Sequence, residues 1–139
     1  MNEIAIYPKE IENLEAEGIV FKNSTFIGMM IDGELIDEIK AFEDGTVYWP
    51  ELKRSLEGTG KYLIFTCICG VAEDAGWEEI NVIHSNSEVA WKFERDGEHK
   101  FIFDKADYLY QIQQCEKILN LKEFPLAVEN ATFPINDNI

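Results

Sequence analysis

The chain has 139 residues, of which 27 are Asp or Glu and 12 are Lys or Arg, so its formal net charge is −15. A charge this negative repels phosphate and anionic lipid and attracts basic surfaces, which argues against nucleic acid and membranes as partners and favours a basic protein. Apolar residues make up 46% of the chain, enough for one domain with a buried core and too many for a disordered segment.

The compartment can be predicted from three features of the sequence. The longest apolar run, residues 62–69, is too short to span a bilayer. Residues 1–4 lack the basic and apolar regions that begin a secretory signal. The three cysteines, Cys67, Cys69 and Cys115, are an odd number and do not suggest a disulfide framework. We therefore expect a cytoplasmic protein with reduced thiols.

The first third of the chain predicts one short helix and a hairpin. Residues 9–17 (KEIENLEAE) are polar with spaced apolar positions, which favours a helix ending at Gly18. Asp32-Gly33 is a strong signal for a two-residue hairpin turn. Strands are predicted around this turn, at residues 19–21, 25–31 and 34–36.

The middle of the chain predicts a helix between two strands. Asp44-Gly45 precedes a strand over residues 46–49, and Pro50 suits the first turn of a helix that ends near Leu56. Residues 61–69 (KYLIFTCIC) are nearly all apolar, which is typical of a strand covered on both faces. Residues 70–76 are predicted to form a loop.

The last third predicts an antiparallel meander followed by a long helix. The three strands are expected at residues 79–84, 88–93 and 100–103, with Asp96-Gly97 as the second turn. Asp104 begins a helix to about Leu121, because apolar residues recur there at steps of four and three. The fold class is therefore α+β: one domain over residues 1–122, an antiparallel sheet with the long helix packed on one face, and an extended arm over residues 123–139.

The cysteine pair is the first candidate site. Cys67 and Cys69, with His84 further along, offer zinc-ligand chemistry, although CxC is not the usual CxxC spacing. An extended strand would hold the two thiols too far apart for a comfortable disulfide. The plainer interpretation is two buried thiols in a core strand, so we expect no metal and no other cofactor. A metal-binding or thiol-dependent domain around these three residues is kept as an alternative.

Residues 65–76 (FTCICGVAEDAG) resemble a signature, TCxCGVxxCxG, of small uncharacterised bacterial proteins. The resemblance covers residues 49–119 and implies a strand before the signature, then a strand pair, an FD dipeptide and a helix. In this chain Asp74 stands where the signature has its third cysteine, which weakens a metal or redox role. By analogy alone, some small acidic α+β proteins neutralise toxins as immunity proteins.

The acidic loop is the second candidate site. Trp77 lies among four carboxylates, which belong to Glu73, Asp74, Glu78 and Glu79. An exposed tryptophan ringed by acids is a good anchor for a basic protein surface. The alternative is that Trp77 belongs to the core and the acids line a solvated loop; cation binding is a third interpretation, although the EF-hand spacing is absent.

The other acidic residues form charge runs that usually mark solvated faces. One such run is Asp37, Glu38, Glu43 and Asp44. If this run converges with residues 73–79 in the fold, the two make an extended negative field that speeds association with a cationic partner.

No nucleophile, base and orienting group recur in a recognisable catalytic pattern, so we do not expect an enzyme. The sequence instead favours a small acidic protein that binds and neutralises a basic protein, such as a toxin, by charge-complementary occlusion. The predicted binding residues are Glu73, Asp74, Trp77, Glu78 and Glu79. An acidic accessory domain with no specific basic partner is the plainest alternative.

Overall fold

A computed structural model describes residues 1–16, 18–129 and 131, and it divides the strands among small antiparallel sheets. The strands in chain order are β1 (Ile4–Ile11), β2 (Leu14–Ala16), β3 (Ile19–Phe21), β4 (Ser24–Ile31), β5 (Glu34–Leu35), β6 (Thr46–Val47), β7 (Gly60–Tyr62), β8 (Phe65–Thr66), β9 (Ile80–His84), β10 (Glu88–Glu94) and β11 (Glu98–Asp104). The α-helices are α1 (Trp49–Arg54) and α2 (Lys105–Leu119). Short 3₁₀ turns lie at Ile36–Glu38, Lys40–Phe42, Ser55–Glu57 and Ala72–Ala75.

The predicted α+β class is confirmed, with several sheets where one was expected. The largest sheet has the strand order β11-β10-β9-β7, so the predicted meander is present and β7 is added at its edge. A second sheet has the order β1-β4-β5, and two-stranded sheets join β2 to β3 and β6 to β8. The Asp32-Gly33 hairpin is confirmed, because β4 and β5 pair across it.

The long C-terminal helix packs against strands, as predicted, chiefly β1 of the second sheet and also β10 and β11 of the largest sheet. Asp104 caps α2 by accepting a hydrogen bond from the backbone N–H of Asp107 at 2.9 Å. The Tyr108 side chain is fully buried; its hydroxyl accepts a hydrogen bond from Trp91 Nε1 at 3.3 Å and lies 2.6 Å from Ser55 Oγ. Burial raises the pKa of Tyr108 to about 12. These bonds connect α2 to β10 and to the turn after α1.

The helix predicted over residues 9–17 is wrong. The first part of that segment belongs to β1 and the next part to β2, while Glu17 lies outside the described residues. Strand pairing decides the outcome, since residues 9–11 lie opposite residues 24–26 of β4 and residues 14–16 lie opposite residues 19–21 of β3. Tertiary pairing therefore outweighs the weak helical spacing of the local sequence.

The single strand predicted over residues 61–69 is also wrong. The chain leaves the largest sheet after Tyr62, passes through the core at Leu63 and Ile64, which are fully buried, and then pairs as β8 with β6. The strand predicted at 46–49 is shorter as well, because it ends at Val47 and α1 begins at Trp49.

Part of the predicted C-terminal arm lies beside β4. The Thr25 N–H donates to the Pro125 carbonyl at 2.7 Å, and the Ala127 N–H donates to the Thr25 carbonyl at 2.9 Å. Leu126 and Thr25 form an isolated parallel bridge. Of the predicted arm, Asn130 and residues 132–139 lie outside the described residues.

Candidate partner-binding site

Two tight turns carry the signature segment away from β8. The Gly70 N–H donates to the Cys67 carbonyl at 2.9 Å, and Gly70 has a φ of 88°. The 3₁₀ turn Ala72–Ala75 follows and ends at Gly76, whose φ is 71°. Glycine takes this left-handed conformation without steric cost. The second turn buries Ala72 and leaves the carboxylates of Glu73 and Asp74 exposed.

The prediction that Trp77 is an exposed anchor is wrong. Its side chain is only 1% exposed. The ring lies 4.9 Å from the Phe65 ring and 6.4 Å from the Phe42 ring, centroid to centroid, and the Arg95 guanidinium lies 4.0 Å above it. Trp77 is therefore a core residue, and its apolar and cation–π contacts face inward.

Trp77 instead holds two acidic segments together. Its backbone N–H donates to the Ala72 carbonyl at 2.9 Å, which closes the 3₁₀ turn before it. Its indole lies so close to Gly45 that a Cβ there would come within 2.9 Å of Cζ2. The Arg95 guanidinium supports the same junction, because it donates to the carbonyls of Ala75 and Ala41 at 2.6 and 3.5 Å. The core thereby brings the 3₁₀ turn of residues 72–75 against the Asp44-Gly45 turn.

The result is a cleft of about 800 Å³ between these segments, which we call the acidic cleft. Four exposed carboxylates line it, those of Asp37, Glu43, Asp44 and Asp74. The described residues that line the cleft include no Lys, Arg or His. The two charge runs thus converge, but only Asp74 of the predicted loop residues takes part.

The other predicted loop acids lie elsewhere. Glu78 and Glu79 are exposed and line a second cleft of about 720 Å³ with Lys61, Lys92 and Lys100. Of the five predicted binding residues, Trp77 therefore lies in the core, Asp74 lines the acidic cleft, and Glu78 and Glu79 line a cleft of mixed charge. Glu73 is exposed and lines neither cleft. The sequence predicts a negative field if the run of Asp37, Glu43 and Asp44 converges with residues 73–79, but spacing alone could not place that run beside Asp74.

The Cys67 and Cys69 thiols lie at the edge of the acidic cleft. Residues 67–70 form a turn, so the extended strand that was expected to carry both thiols is wrong. A hydrogen bond with the Cys67 thiol, followed by burial, raises the pKa of Cys69 to about 11. The Cys69 thiol also donates to Asp74 Oδ2 at 3.3 Å. Cys69 is therefore a neutral thiol near pH 7, and a neutral thiol is a poor nucleophile.

The structure does not bring His84 to the cysteines as a ligand set. His84 Nε2 lies 2.8 Å from the Ser55 carbonyl oxygen, to which the ring bonds. Within residues 1–16, 18–129 and 131, no group of three or more His, Cys, Asp or Glu side chains is placed to hold a metal ion. The alternative built on Cys67, Cys69 and His84 gains no support from this geometry.

Comparison with known proteins finds no matching family model, no matching curated protein and no matching solved structure. The resemblance to the TCxCGVxxCxG signature therefore stays a prediction. As for membranes, none of the helices in the described ranges is both long and apolar enough to cross a bilayer.

Proposed function

We propose that this chain is a cytoplasmic protein that binds a basic protein and neutralises it by occlusion, with the acidic cleft receiving an Arg or Lys side chain of the partner. The observation that carries the proposal is the cleft itself, which is lined by the exposed carboxylates of Asp37, Glu43, Asp44 and Asp74 and by no described basic residue. Clustered carboxylates repel one another, and a partner's cation relieves that repulsion.

The chemistry of the cleft favours a guanidinium or an ammonium group. A single carboxylate accepts two parallel N–H groups of an arginine guanidinium in bidentate geometry, which is the strongest form of this contact. The exposed carboxylates of Glu38 and Glu73 lie beside lining residues in the chain and add to the negative field. With a net charge of −15, the whole molecule also steers a cationic partner toward it.

The test compares two variants that lose the same charge. The cleft variant carries Asp37→Asn, Glu43→Gln, Asp44→Asn and Asp74→Asn. The control variant carries Glu3→Gln, Glu12→Gln, Glu34→Gln and Glu57→Gln, four exposed positions away from the cleft. Each set removes four negative charges from −15 and so leaves −11.

Wild type and both variants are immobilised and used to capture proteins from the native host's lysate at low and at high salt. We expect one basic protein to be retained by the wild type and the control variant, to be lost from the cleft variant, and to be released at high salt. Its own activity should be inhibited at a stoichiometry of one to one. Retention of no basic protein, or equal retention by both variants, would contradict the proposal.

A further inference from the structure

The face of the largest sheet that points away from the core carries charges in bands. On the β10–β11 hairpin, Lys92 lies directly opposite Lys100, and Glu94 lies directly opposite Glu98. All four side chains are exposed. Because strand residues alternate between faces, all four side chains share one face of the sheet. Along each strand, the basic residue and the acidic residue are two positions apart. We call these four residues the banded face.

Both pairs work against the stability of the hairpin. Like charges directly opposite each other on neighbouring strands are destabilising. A simple exchange of partners would have placed Lys opposite Glu, yet the chain has neither such pair here. The ion pairs in the described part of the chain join Lys53 to Glu116, Arg54 to Glu51 and Lys122 to Glu10, so neither Lys92 nor Lys100 forms an ion pair with a described residue.

The basic band continues across the sheet. Asn81 lies opposite Lys92 on one side and Lys61 on the other, which gives the row Lys61, Asn81, Lys92 and Lys100 over four strands. The cleft of about 720 Å³ lies over this row and also touches Glu94 and Glu98. There is therefore room above the face for side chains from outside the chain.

The order of the basic and acidic pairs restricts which kind of partner can bind the banded face. An extended polyanion would be attracted by the basic pair but repelled by the neighbouring acidic pair. A basic segment would be attracted by the acidic pair but repelled by the basic pair, so neither partner fits both bands. A partner fits if it carries the same two bands in opposite order. A second copy of this chain supplies that pattern when it is turned by a two-fold axis that lies between the two faces and runs parallel to the bands.

We propose that two copies of this chain associate through their banded faces. In this arrangement Lys92 faces Glu94 of the second copy and Lys100 faces Glu98 of the second copy, and the two-fold axis repeats both ion pairs. The attraction between opposite charges across the interface then compensates for the repulsion between like charges within each pair. At about 0.15 M salt, screening over about 8 Å weakens the repulsion between the two acidic molecules more than it weakens the contacting pairs.

The experiment measures mass by sedimentation velocity at about 0.15 M salt, from about 10 µM to about 500 µM protein. One variant carries Lys92→Glu and Lys100→Glu, and another carries Glu94→Lys and Glu98→Lys. A third variant carries all four changes and so exchanges the two bands. Circular dichroism checks that each variant keeps the fold.

We expect the wild type to dimerise as its concentration rises and each double variant to remain a monomer. An equimolar mixture of the two double variants should form a heterodimer, and the variant with all four changes should dimerise like the wild type. A wild type that stays monomeric throughout overturns the proposal, and its binding to heparin would then assign the lysines to an anionic ligand. A dimer that both double variants retain overturns it as well.

Discussion

Replacing Trp77 with alanine should damage the fold rather than a binding surface. The side chain is 1% exposed and packs against Phe42, Phe65 and Arg95. A buried tryptophan removes about 200 Å² from water, which at about 25 cal/mol per Å² is worth about 5 kcal/mol. Truncation of a buried tryptophan costs about 3–5 kcal/mol, a large part of the 5–15 kcal/mol that stabilises an ordinary domain.

The assay is urea denaturation followed by far-UV circular dichroism, with two controls. Trp77→Phe keeps an aromatic ring in the same place and should cost only about 1–2 kcal/mol. Leu121→Ala removes a side chain that is 82% exposed and should change the free energy of unfolding by less than about 0.5 kcal/mol. If the free energy of unfolding of Trp77→Ala stays within about 1 kcal/mol of the wild-type value, the burial argument is refuted and Trp77 would again be interpreted as an exposed anchor.

Three further predictions concern buried polar groups and the thiols. Tyr108→Phe leaves the buried Trp91 Nε1 without its acceptor and should lower the free energy of unfolding by about 1–3 kcal/mol in urea; no change would show that water reaches this group. Thr66→Val replaces a fully buried hydroxyl that has no hydrogen-bond partner among the described residues and should raise the melting temperature, with a stability gain of about 1 kcal/mol; a lower melting temperature would reveal a missed partner. Cys67→Ala removes the main cause of the raised pKa of Cys69, which is about 11 in the wild type. Labelling of Cys69 by a disulfide reagent at pH 8 should therefore be faster in this variant than in the wild type. In the wild type the labelling rate should rise as the pH approaches 11. Equal labelling rates at pH 8 would contradict this assignment.

The elements that could be predicted from sequence are those that local chemistry determines. Asp32-Gly33 and Asp96-Gly97 adopt positive φ at both residues, as their type of hairpin turn requires. The helix from Asp104 follows from its capping carboxylate and its four-three spacing. None of these features depends on distant parts of the chain.

The errors arise where distant contacts decide the structure. Residues 9–11 and 14–16 become strand because β4 and β3 lie beside them, and no local signal marks the point where the chain leaves the sheet before Leu63 and Ile64. The burial of Trp77 depends on rings contributed from positions 42 and 65. The acidic cleft likewise joins Asp37 to Asp74, and the sequence supplies both charge runs but not their convergence.

The central claim is that the acidic cleft, and not the net charge alone, holds the partner. Calorimetric titration of the captured basic protein into the wild type, the cleft variant and the control variant tests this most directly. Losing one side of a buried charge pair costs about 2–5 kcal/mol, so the cleft variant should bind at least about 30-fold more weakly. The control variant should stay within about threefold of the wild type, because exposed charges far from the contact contribute little. An equal loss of affinity in both variants would contradict the account.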